Sequence, residues 1–254
     1  MFREKPGLAA VFPENRNRRL FIFFPIANCS KKGTKKNGKI ALLGCCGPMG
    51  LGAIDYALHS GLNPSLIVVT DINQERIDRA KSIFSPEHAK KLGIKLVYIN
   101  TAKEGAENKI YLLSDRKGYD DIFVYTPLKE VIEQANRLLA FDGCLNFFSG
   151  PSDKNLSANI NFFNVHYAFS HLAANAGGNT NDMLECIKLS SEGLINPAVM
   201  VTHIGGIDSA AKAIQELPFK SDGKKLVYTH INMPMTAIAD FEKLGKKNKI
   251  FADL

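Results

Sequence analysis

From Lys39 to Phe148, continuous apolar runs alternate with stretches in which apolar residues recur every three or four positions. The runs are typical of buried strands, and the longer period predicts helices with one buried face. The predicted strands are 39–44, 65–71, 95–99, 121–125 and 143–148, and the predicted helices are 48–60, 75–84 and 128–140. This alternation favours right-handed βαβ units, so we expect an α/β fold with a doubly wound parallel sheet.

A glycine-rich turn, "GCCGPMG" (44–50), joins the first predicted strand to the first predicted helix. A helix N-terminus in this place offers free N–H groups and a positive dipole to a phosphate. In the fingerprint G-x-G-x-x-G, Gly47 and Gly50 match the second and third glycines, whereas Cys45 replaces the first and Gly44 lies one place early. The turn predicts a pyrophosphate site in a Rossmann domain, with an ordinary tight turn as the alternative.

Two other residues near this turn carry candidate chemistry. Asp71 ends the second predicted strand, where an acid hydrogen-bonds the ribose hydroxyls of a dinucleotide. The alternative is that Asp71 only caps the turn before the second helix. Cys45 could be a reactive thiol, because a helix N-terminus lowers the pKa of a nearby cysteine.

Charge separates the first residues from the remainder of the 254-residue chain. Ten of the 32 Lys and Arg residues and two of the 25 Asp and Glu residues lie in 1–40, which leaves 22 basic and 23 acidic residues elsewhere. We therefore predict a poorly ordered basic leader, 1–37, and no nucleic-acid partner, since no recognition motif accompanies the charge. The apolar run "LFIFFPI" is too short to span a membrane, which takes about 20 residues. We expect a cytoplasmic protein.

The same turn also resembles that of methyltransferases that use S-adenosylmethionine, which likewise carry an acid at the end of the second strand. Their motif has an acid two residues before the first glycine, and here that position is Leu42. Gly50, at the start of the helix, favours a pyrophosphate over a methionine moiety. The methyltransferase is kept as an alternative function.

Longer stretches resemble one family more specifically. "GKIALLGCCGPMGLGAIDYAL" and "VVTDINQERIDRAK" are similar to the cofactor domain of medium-chain, zinc-type alcohol dehydrogenases, and so are "CLNFFSGP", "GGNTNDM" and "MVTHIGGIDSAAKAI". Within the family the chain most resembles L-sorbose-1-phosphate reductases and related polyol dehydrogenases. The resemblance covers residues from about 35 to the C-terminus. It implies an oxidoreductase that transfers hydride between a nicotinamide cofactor and a sugar or polyol phosphate such as L-sorbose 1-phosphate.

The resemblance also implies roles for single residues. The pyrophosphate would lie over the glycine turn, the adenosine ribose against Asp71, the adenine beside Asn73 and Arg76, and the nicotinamide near the later strand ends. The implied cofactor-binding residues are Gly47, Pro48, Met49, Gly50, Asp71, Asn73, Arg76, Thr126, Pro127, Phe148, Ser149, Ala176 and Gly177. An acid at the ribose disfavours the 2′-phosphate of NADP(H), so NAD(H) is the expected cofactor. Residues 159–165 resemble the edge strand through which such enzymes form homodimers.

Zinc is expected for the family, but its ligands are not found in this chain. The family's catalytic domain precedes the cofactor domain and supplies a cysteine, a histidine in a G-H-E motif and a third ligand; no G-H-E occurs here. The five cysteines include no C-x-x-C pair, so we predict no metal ligands. The sequence leaves the catalytic residues unknown. We expect a truncated dehydrogenase with a Rossmann domain (38–178) and a C-terminal remnant of the catalytic domain (179–254). Such a chain would be inactive alone, or serve as an inert NAD-binding module.

Overall fold

The computed structural model describes residues 34–174, 177, 180–216 and 223–253. Of the predicted leader, residues 1–33 lie outside these ranges. The leader's last residues pack against the sheet: Thr34 is buried, and the backbone amide of Lys35 donates to Asp121 Oδ2 at 2.8 Å. Thr34 and Lys35, which the sequence placed in the leader, thus contact the sheet.

The predicted fold class is confirmed. Six strands form one parallel sheet in the order β3-β2-β1-β4-β5-β6, which is the strand order of a Rossmann fold. The strands are β1 (Lys39–Leu43), β2 (Leu66–Asp71), β3 (Lys95–Asn100), β4 (Tyr119–Val124), β5 (Leu139–Phe147) and β6 (His171–Ala174). Strand order reverses between β1 and β4, and ligands of such sheets bind outside the carboxyl ends of the strands at this point.

Helices cover both faces of this sheet. They are α1 (Pro48–His59), α2 (Gln74–Ile83), α3 (Pro86–Lys91), α4 (Ala106–Leu113), α5 (Lys129–Arg137) and α6 (Phe162–Tyr167). Two buried clusters result, one on each side: Leu42 belongs to the first and Leu43 to the second, and neither is exposed to solvent. This two-sided burial explains why β1 is a continuous apolar run. Among the described helices, none is long and apolar enough to cross a membrane.

The C-terminal residues form a second, smaller sheet that packs against the first unit. Its strands β7 (Val201–Gly206), β8 (Lys224–Tyr228) and β9 (Thr236–Ala237) have the order β8-β7-β9. The remaining helices are α7 (Thr180–Ser191), α8 (Ala210–Glu216), α9 (Phe241–Gly245) and α10 (Lys249–Asp253).

Polar contacts hold the two units together. The buried Asp55 of α1 accepts from the Asn196 amide at 2.7 Å, and Tyr56 Oη donates to Glu185 at 2.9 Å. These bonds place the start of the second sheet beside the glycine turn.

Two predicted elements are corrected. The helix predicted over 128–140 ends at Arg137, because the Leu138 carbonyl accepts from the Tyr119 amide at 2.8 Å and Leu139 then pairs with Tyr119 in the sheet. The edge strand predicted over 159–165 is not a strand: residues 159–161 are irregular, and α6 follows.

The physical reason for the second correction is a helix cap. The Asn161 side chain accepts from the amides of Phe163 and Asn164, which satisfies two N–H groups at the start of α6. Asn159 is bonded through its amide and its side chain to Glu133 on α5. The strand at this edge of the sheet is β6 instead.

Candidate functional site

A cleft of about 950 Å³ lies at the carboxyl ends of β1, β4 and β5, around the switch in strand order. It brings together seven of the thirteen residues predicted to bind a cofactor. These are Gly47, Pro48, Met49, Gly50, Arg76, Phe148 and Ser149. The position agrees with the rule that ligands of open α/β sheets bind at this point.

The tight turn that opens the cleft depends on Gly44. Gly44 has φ +68°, a left-handed conformation that costs glycine little, and a Cβ there would lie 3.0 Å from Thr126 Cγ2. Cys45 is not among the described non-glycine residues with positive φ. Gly44 thus has the conformational role assigned to the first fingerprint glycine, and a cysteine at position 45 fits the turn without backbone strain.

Gly50 lets α1 approach the turn. A Cβ on Gly50 would lie 1.7 Å from the Cys45 carbonyl oxygen and 2.3 Å from its carbon, distances that no side chain can occupy. This contact is the close backbone packing expected of the third fingerprint glycine. A Cβ on Gly47, by contrast, would meet nothing within 4 Å, so space for a ligand lies beside this residue.

The start of α1 supplies hydrogen-bond donors to that space. Gly47 caps α1 without a side-chain hydrogen bond, and Pro48 follows as the first helical residue. The first amides of a helix have no partner inside the helix, and the helix dipole makes them attractive to an anion. The turn therefore fits a pyrophosphate.

Asp71 holds the turn in place from the end of β2. It is 5% exposed; Oδ2 accepts from the Cys46 amide at 3.1 Å and Oδ1 from the Asn73 amide at 3.0 Å. Asp71 therefore has the turn-stabilising role that the sequence left as an alternative. A carboxylate has four acceptor sites, so these two bonds do not exhaust its capacity as an acceptor.

Five of the predicted residues that the structure describes do not line the cleft: Asp71, Asn73, Thr126, Pro127 and Gly177. Asn73 caps α2 by accepting from the Arg76 amide at 3.0 Å, and Thr126 packs against Gly44. Pro127 is exposed after β4. Gly177 is described but does not line the cleft, and Ala176 lies outside the described residues.

The structure adds a cation that sequence reasoning missed. Lys224, the first residue of β8, lines the cleft beside the glycine turn. The preceding Gly223 has φ +84°, and a Cβ there would lie 3.3 Å from Pro48 Cγ, so the start of β8 packs directly on the start of α1. The pair of lysines at 224 and 225 was the only signal in the sequence, and nothing local relates it to the turn.

A second cavity of about 790 Å³ shares Gly47, Pro48, Met49, Arg76 and Lys224 with the cleft. Arg79 and Lys225 also line it, and Arg79 donates to the Val199 carbonyl at 3.2 Å. Among the described residues that line these two cavities, some side chains are basic and none is acidic. This charge suits an anionic ligand.

Aromatic rings form the opposite wall of the cleft. Tyr125 and Phe148 meet edge to face with ring centroids 5.4 Å apart, at the ends of β4 and β5. Such a wall beside a row of backbone amides suits a ligand with one flat, weakly polar ring and one charged part.

The two cysteines of the turn are buried and unreactive in character. Burial, with the nearby Cys46 and Asp71, raises the pKa of the Cys45 thiol, and burial with Asp71 raises the pKa of Cys46 to about 12. The reactive thiol proposed for Cys45 is therefore wrong. Desolvation and the neighbouring carboxylate outweigh the helix dipole.

We expect neither cysteine to be alkylated in the native protein. Iodoacetamide at pH 8 should leave both Cys45 and Cys46 unmodified in peptide mass maps, and the same treatment in 6 M guanidinium should modify both, because the thiolate forms readily only after unfolding. Rapid native alkylation of Cys45 would contradict the burial described here.

The described residues do not supply the set of zinc ligands expected for the family. Within the ranges that the structure describes, no group of three or more His, Cys, Asp and Glu side chains could hold a metal ion. A catalytic zinc takes three protein ligands from converging segments.

The geometry agrees with comparison to known proteins. The sequence profile of the zinc-binding dehydrogenase family matches residues 48–192, more than half of the chain. The chain belongs to the zinc-binding dehydrogenase family. Neither this match nor the relatives below support the methyltransferase alternative.

Two curated relatives are similar to this chain over most of the chain's length. Mannitol-1-phosphate 5-dehydrogenase of Aliivibrio fischeri is 46% identical over 223 residues, 87% of this chain and 53% of the relative. L-sorbose 1-phosphate reductase of Klebsiella pneumoniae is 43% identical over 208 residues, 82% of this chain and 50% of the relative. The chain thus spans about half the length of the curated relatives it matches.

A solved structure supports the fold. The short chain alcohol dehydrogenase rspB from E. coli CFT073, in complex with the cofactor NADH, aligns with a TM-score of 0.57 at 18% identity. The alignment covers 76% of this chain and 52% of that one. The chain therefore shares its fold with part of this alcohol dehydrogenase.

Proposed function

We propose that this chain binds NAD(H) as the cofactor-binding part of an oxidoreductase that acts on a sugar or polyol phosphate. The observation that carries the proposal is the cleft at the switch in strand order, formed by the glycine turn and by basic residues. The substrate class rests on the names of the two curated relatives, both of which act on phosphorylated sugars or polyols. In this proposal, residues 38–178 bind the cofactor and residues 179–254 pack against them.

The proposed binding mode assigns each part of the cofactor to groups of this chain. The amides at the start of α1 and the Lys224 ammonium would bind the pyrophosphate, and Asp71 the adenosine ribose. Tyr125 and Phe148 would exclude water from one side of the nicotinamide. When bound, the nicotinamide ring would supply or accept the hydride.

The preference for NAD(H) over NADP(H) is also a proposal. In this proposal the buried Asp71 carboxylate would lie at the ribose 2′-position, where a 2′-phosphate would meet a second negative charge. Arg76 on α2 lines both cavities and would offset part of this repulsion. We therefore expect discrimination of moderate size.

The test is a titration of the purified full chain with NADH, NADPH and S-adenosylmethionine, followed by nicotinamide fluorescence and calorimetry. We expect saturable binding of NADH, binding of NADPH about tenfold weaker, and no binding of S-adenosylmethionine. A tenfold ratio corresponds to about 1.4 kcal/mol, the scale of one unfavourable charge contact partly offset by Arg76. No saturable NADH binding would contradict the proposal.

An inert binding module is the second candidate. The described residues favour this candidate, because they include no group of side chains that could hold a zinc ion, and such an ion would polarise the substrate carbonyl. Hydride transfer should accordingly be assayed separately from binding. Binding of NADH without turnover of mannitol 1-phosphate or L-sorbose 1-phosphate would support this candidate.

We also propose that the chain forms a homodimer. The interface would be formed by β6 and the neighbouring aromatic rings, and not by residues 159–165. Leu172 of β6 is 61% exposed, and beside this edge Phe141 and Phe169 pair at 5.4 Å with more than half of each side chain exposed. An open sheet edge flanked by apolar rings is stabilised by pairing with another strand.

Light scattering after gel filtration tests the dimer. We expect Leu172→Lys to convert a dimer to a monomer, because it places a charge at the edge, whereas Met183→Lys on α7, equally exposed, should leave the mass unchanged. A parent chain that is monomeric at about 50 μM would contradict the proposal, since a specific dimer with a dissociation constant well below that concentration would stay associated.

A further inference from the structure

A β-bulge interrupts the pairing of β7 with β8 beside the glycine turn. Val201 pairs with Lys224, and the next pair is His203 with Lys225. One step along β8 therefore corresponds to two steps along β7, and Thr202 is the extra residue. Bulges redirect side chains and are frequent next to binding sites. This one lies directly beside Lys224, which lines both cavities at the turn.

The Thr202 side chain binds the backbone of Lys224. Its hydroxyl donates to the Lys224 carbonyl at 3.2 Å, and Oγ1 lies 2.9 Å from His203 Nδ1. A hydroxyl has one proton and a carbonyl can only accept, so both contacts are hydrogen bonds when His203 Nδ1 carries a proton and donates to Oγ1. The imidazole thus directs the hydroxyl proton of Thr202 to the start of β8.

The residue before Lys224 is a glycine that permits this contact. Gly223 has φ +84°, a left-handed conformation that favours glycine, and a Cβ there would lie 2.7 Å from both Oγ1 and Cγ2 of Thr202. The same Cβ would lie 3.3 Å from Pro48 Cγ. The start of β8 is therefore fixed between the bulge and the first residue of α1, which restricts the positions open to Lys224.

We propose that Thr202 is a positioning residue for cofactor binding, because its hydroxyl holds the backbone from which the Lys224 ammonium reaches the glycine turn. The inference rests on the proposed function, in which Lys224 binds the pyrophosphate of NAD(H). A lysine loses rotamer freedom when its ammonium is bound, and a backbone that is already fixed reduces this loss. Thr202 lines the second cavity but not the cleft, so it acts through Lys224.

The experiment is a double-mutant cycle in which the full chain is titrated with NADH and nicotinamide fluorescence is measured. Lys224→Met should weaken NADH binding about tenfold, and Thr202→Val, which keeps the shape but removes the hydroxyl, about fivefold. Thr202→Ser keeps the hydroxyl and should bind within about twofold of the parent. In the Lys224→Met background, Thr202→Val should cost less than about twofold, because two residues that act as one unit are not additive.

Folding of the variants is checked by circular dichroism at the temperature of the titration. Thr202 is only half-buried, so valine fits in its place. Thr202→Ala is titrated as well and should behave as Thr202→Val does, which separates loss of the hydroxyl from any effect of the second methyl group.

Thr236→Val is the matched control. Thr236 lies on β9 of the same sheet, and its hydroxyl also donates to a backbone carbonyl, that of Pro234 at 2.8 Å, but it lines neither cavity. This variant should bind NADH as the parent does. Parent-like affinity of Thr202→Val would overturn the inference, and so would an equal loss in the parent and Lys224→Met backgrounds. Absence of NADH binding by the parent would instead contradict the proposed function itself, and this inference with it.

Discussion

Gly50→Ala is expected to destabilise the fold more than any other single methyl group added near the site. The new Cβ would lie 1.7 Å from the Cys45 carbonyl oxygen, so α1 would have to move away from β1 or the turn would have to open. Overpacking of a rigid contact costs about 1–3 kcal/mol, and this one involves backbone on both sides, so we expect a loss of about 3 kcal/mol or more in the free energy of unfolding. NADH binding should be lost with it, since the amides at the start of α1 would no longer face the cleft.

Gly47→Ala is the matched control for Gly50→Ala. The same methyl group at position 47 would meet nothing within 4 Å, and φ at Gly47 is −77°, which alanine adopts freely. Its free energy of unfolding should change by less than about 1 kcal/mol. The methyl group would nevertheless enter the space where we place the pyrophosphate, so NADH should bind more weakly. Urea denaturation and NADH fluorescence measure the two effects separately, and a Gly50→Ala variant as stable as the parent would refute the packing described.

Asp71→Ala should weaken cofactor binding strongly. Removing the carboxylate takes away the proposed acceptor of the ribose hydroxyls and leaves the buried amide of Cys46 and the amide of the exposed Asn73 without their acceptor. An unsatisfied buried donor costs about 1–3 kcal/mol, whereas water can bind the amide of an exposed residue, so we expect a stability loss of about 1–3 kcal/mol together with a loss of NADH affinity of about 100-fold. Fluorescence titration with NADH, at a temperature where circular dichroism finds the variant folded, measures the affinity.

Asp78→Ala provides the control for Asp71→Ala. Asp78 is an exposed carboxylate on α2 whose bond comes from the Gln74 side chain, so its removal changes the charge nearby without touching the turn. Stability and NADH affinity should both stay close to those of the parent. If folded Asp71→Ala bound NADH as tightly as the parent, the ribose role of Asp71 would be wrong and its role in the turn would be the only one left.

The repeating strand–helix units were predictable because their signals are local. β1 is apolar throughout since both of its faces are buried, and α1 begins at Pro48, a residue suited to the first turn of a helix. The strand limits are therefore correct to within one or two residues for β1, β2 and β3. The later limits are less accurate. The C-terminal end of the predicted helix 128–140 is paired with Tyr119 in the sheet, a contact that periodicity does not encode.

The segment 159–165 illustrates the limit of pattern and resemblance together. An apolar stretch of this length is compatible with a short strand or a short helix. The choice is made by the Asn161 side chain, which caps α6, and by Glu133 of α5, which binds Asn159 before the helix begins. The second of these is a contact with a distant part of the chain. The sequence alone does not reveal this contact.

The sequence by itself determined the α/β fold class, the position of the glycine turn and the placement of Asp71 at the end of β2, because apolar period, glycine spacing and helix starts are properties of neighbouring residues. Only the tertiary structure decided that Gly44 has the left-handed conformation next to Thr126, that burial raises the pKa of the Cys45 thiol, and that Lys224 reaches the turn. Each of these depends on atoms that lie far apart along the chain. Conformational strain, desolvation and charge proximity arise where such segments meet, and they can be evaluated only after the chain has folded.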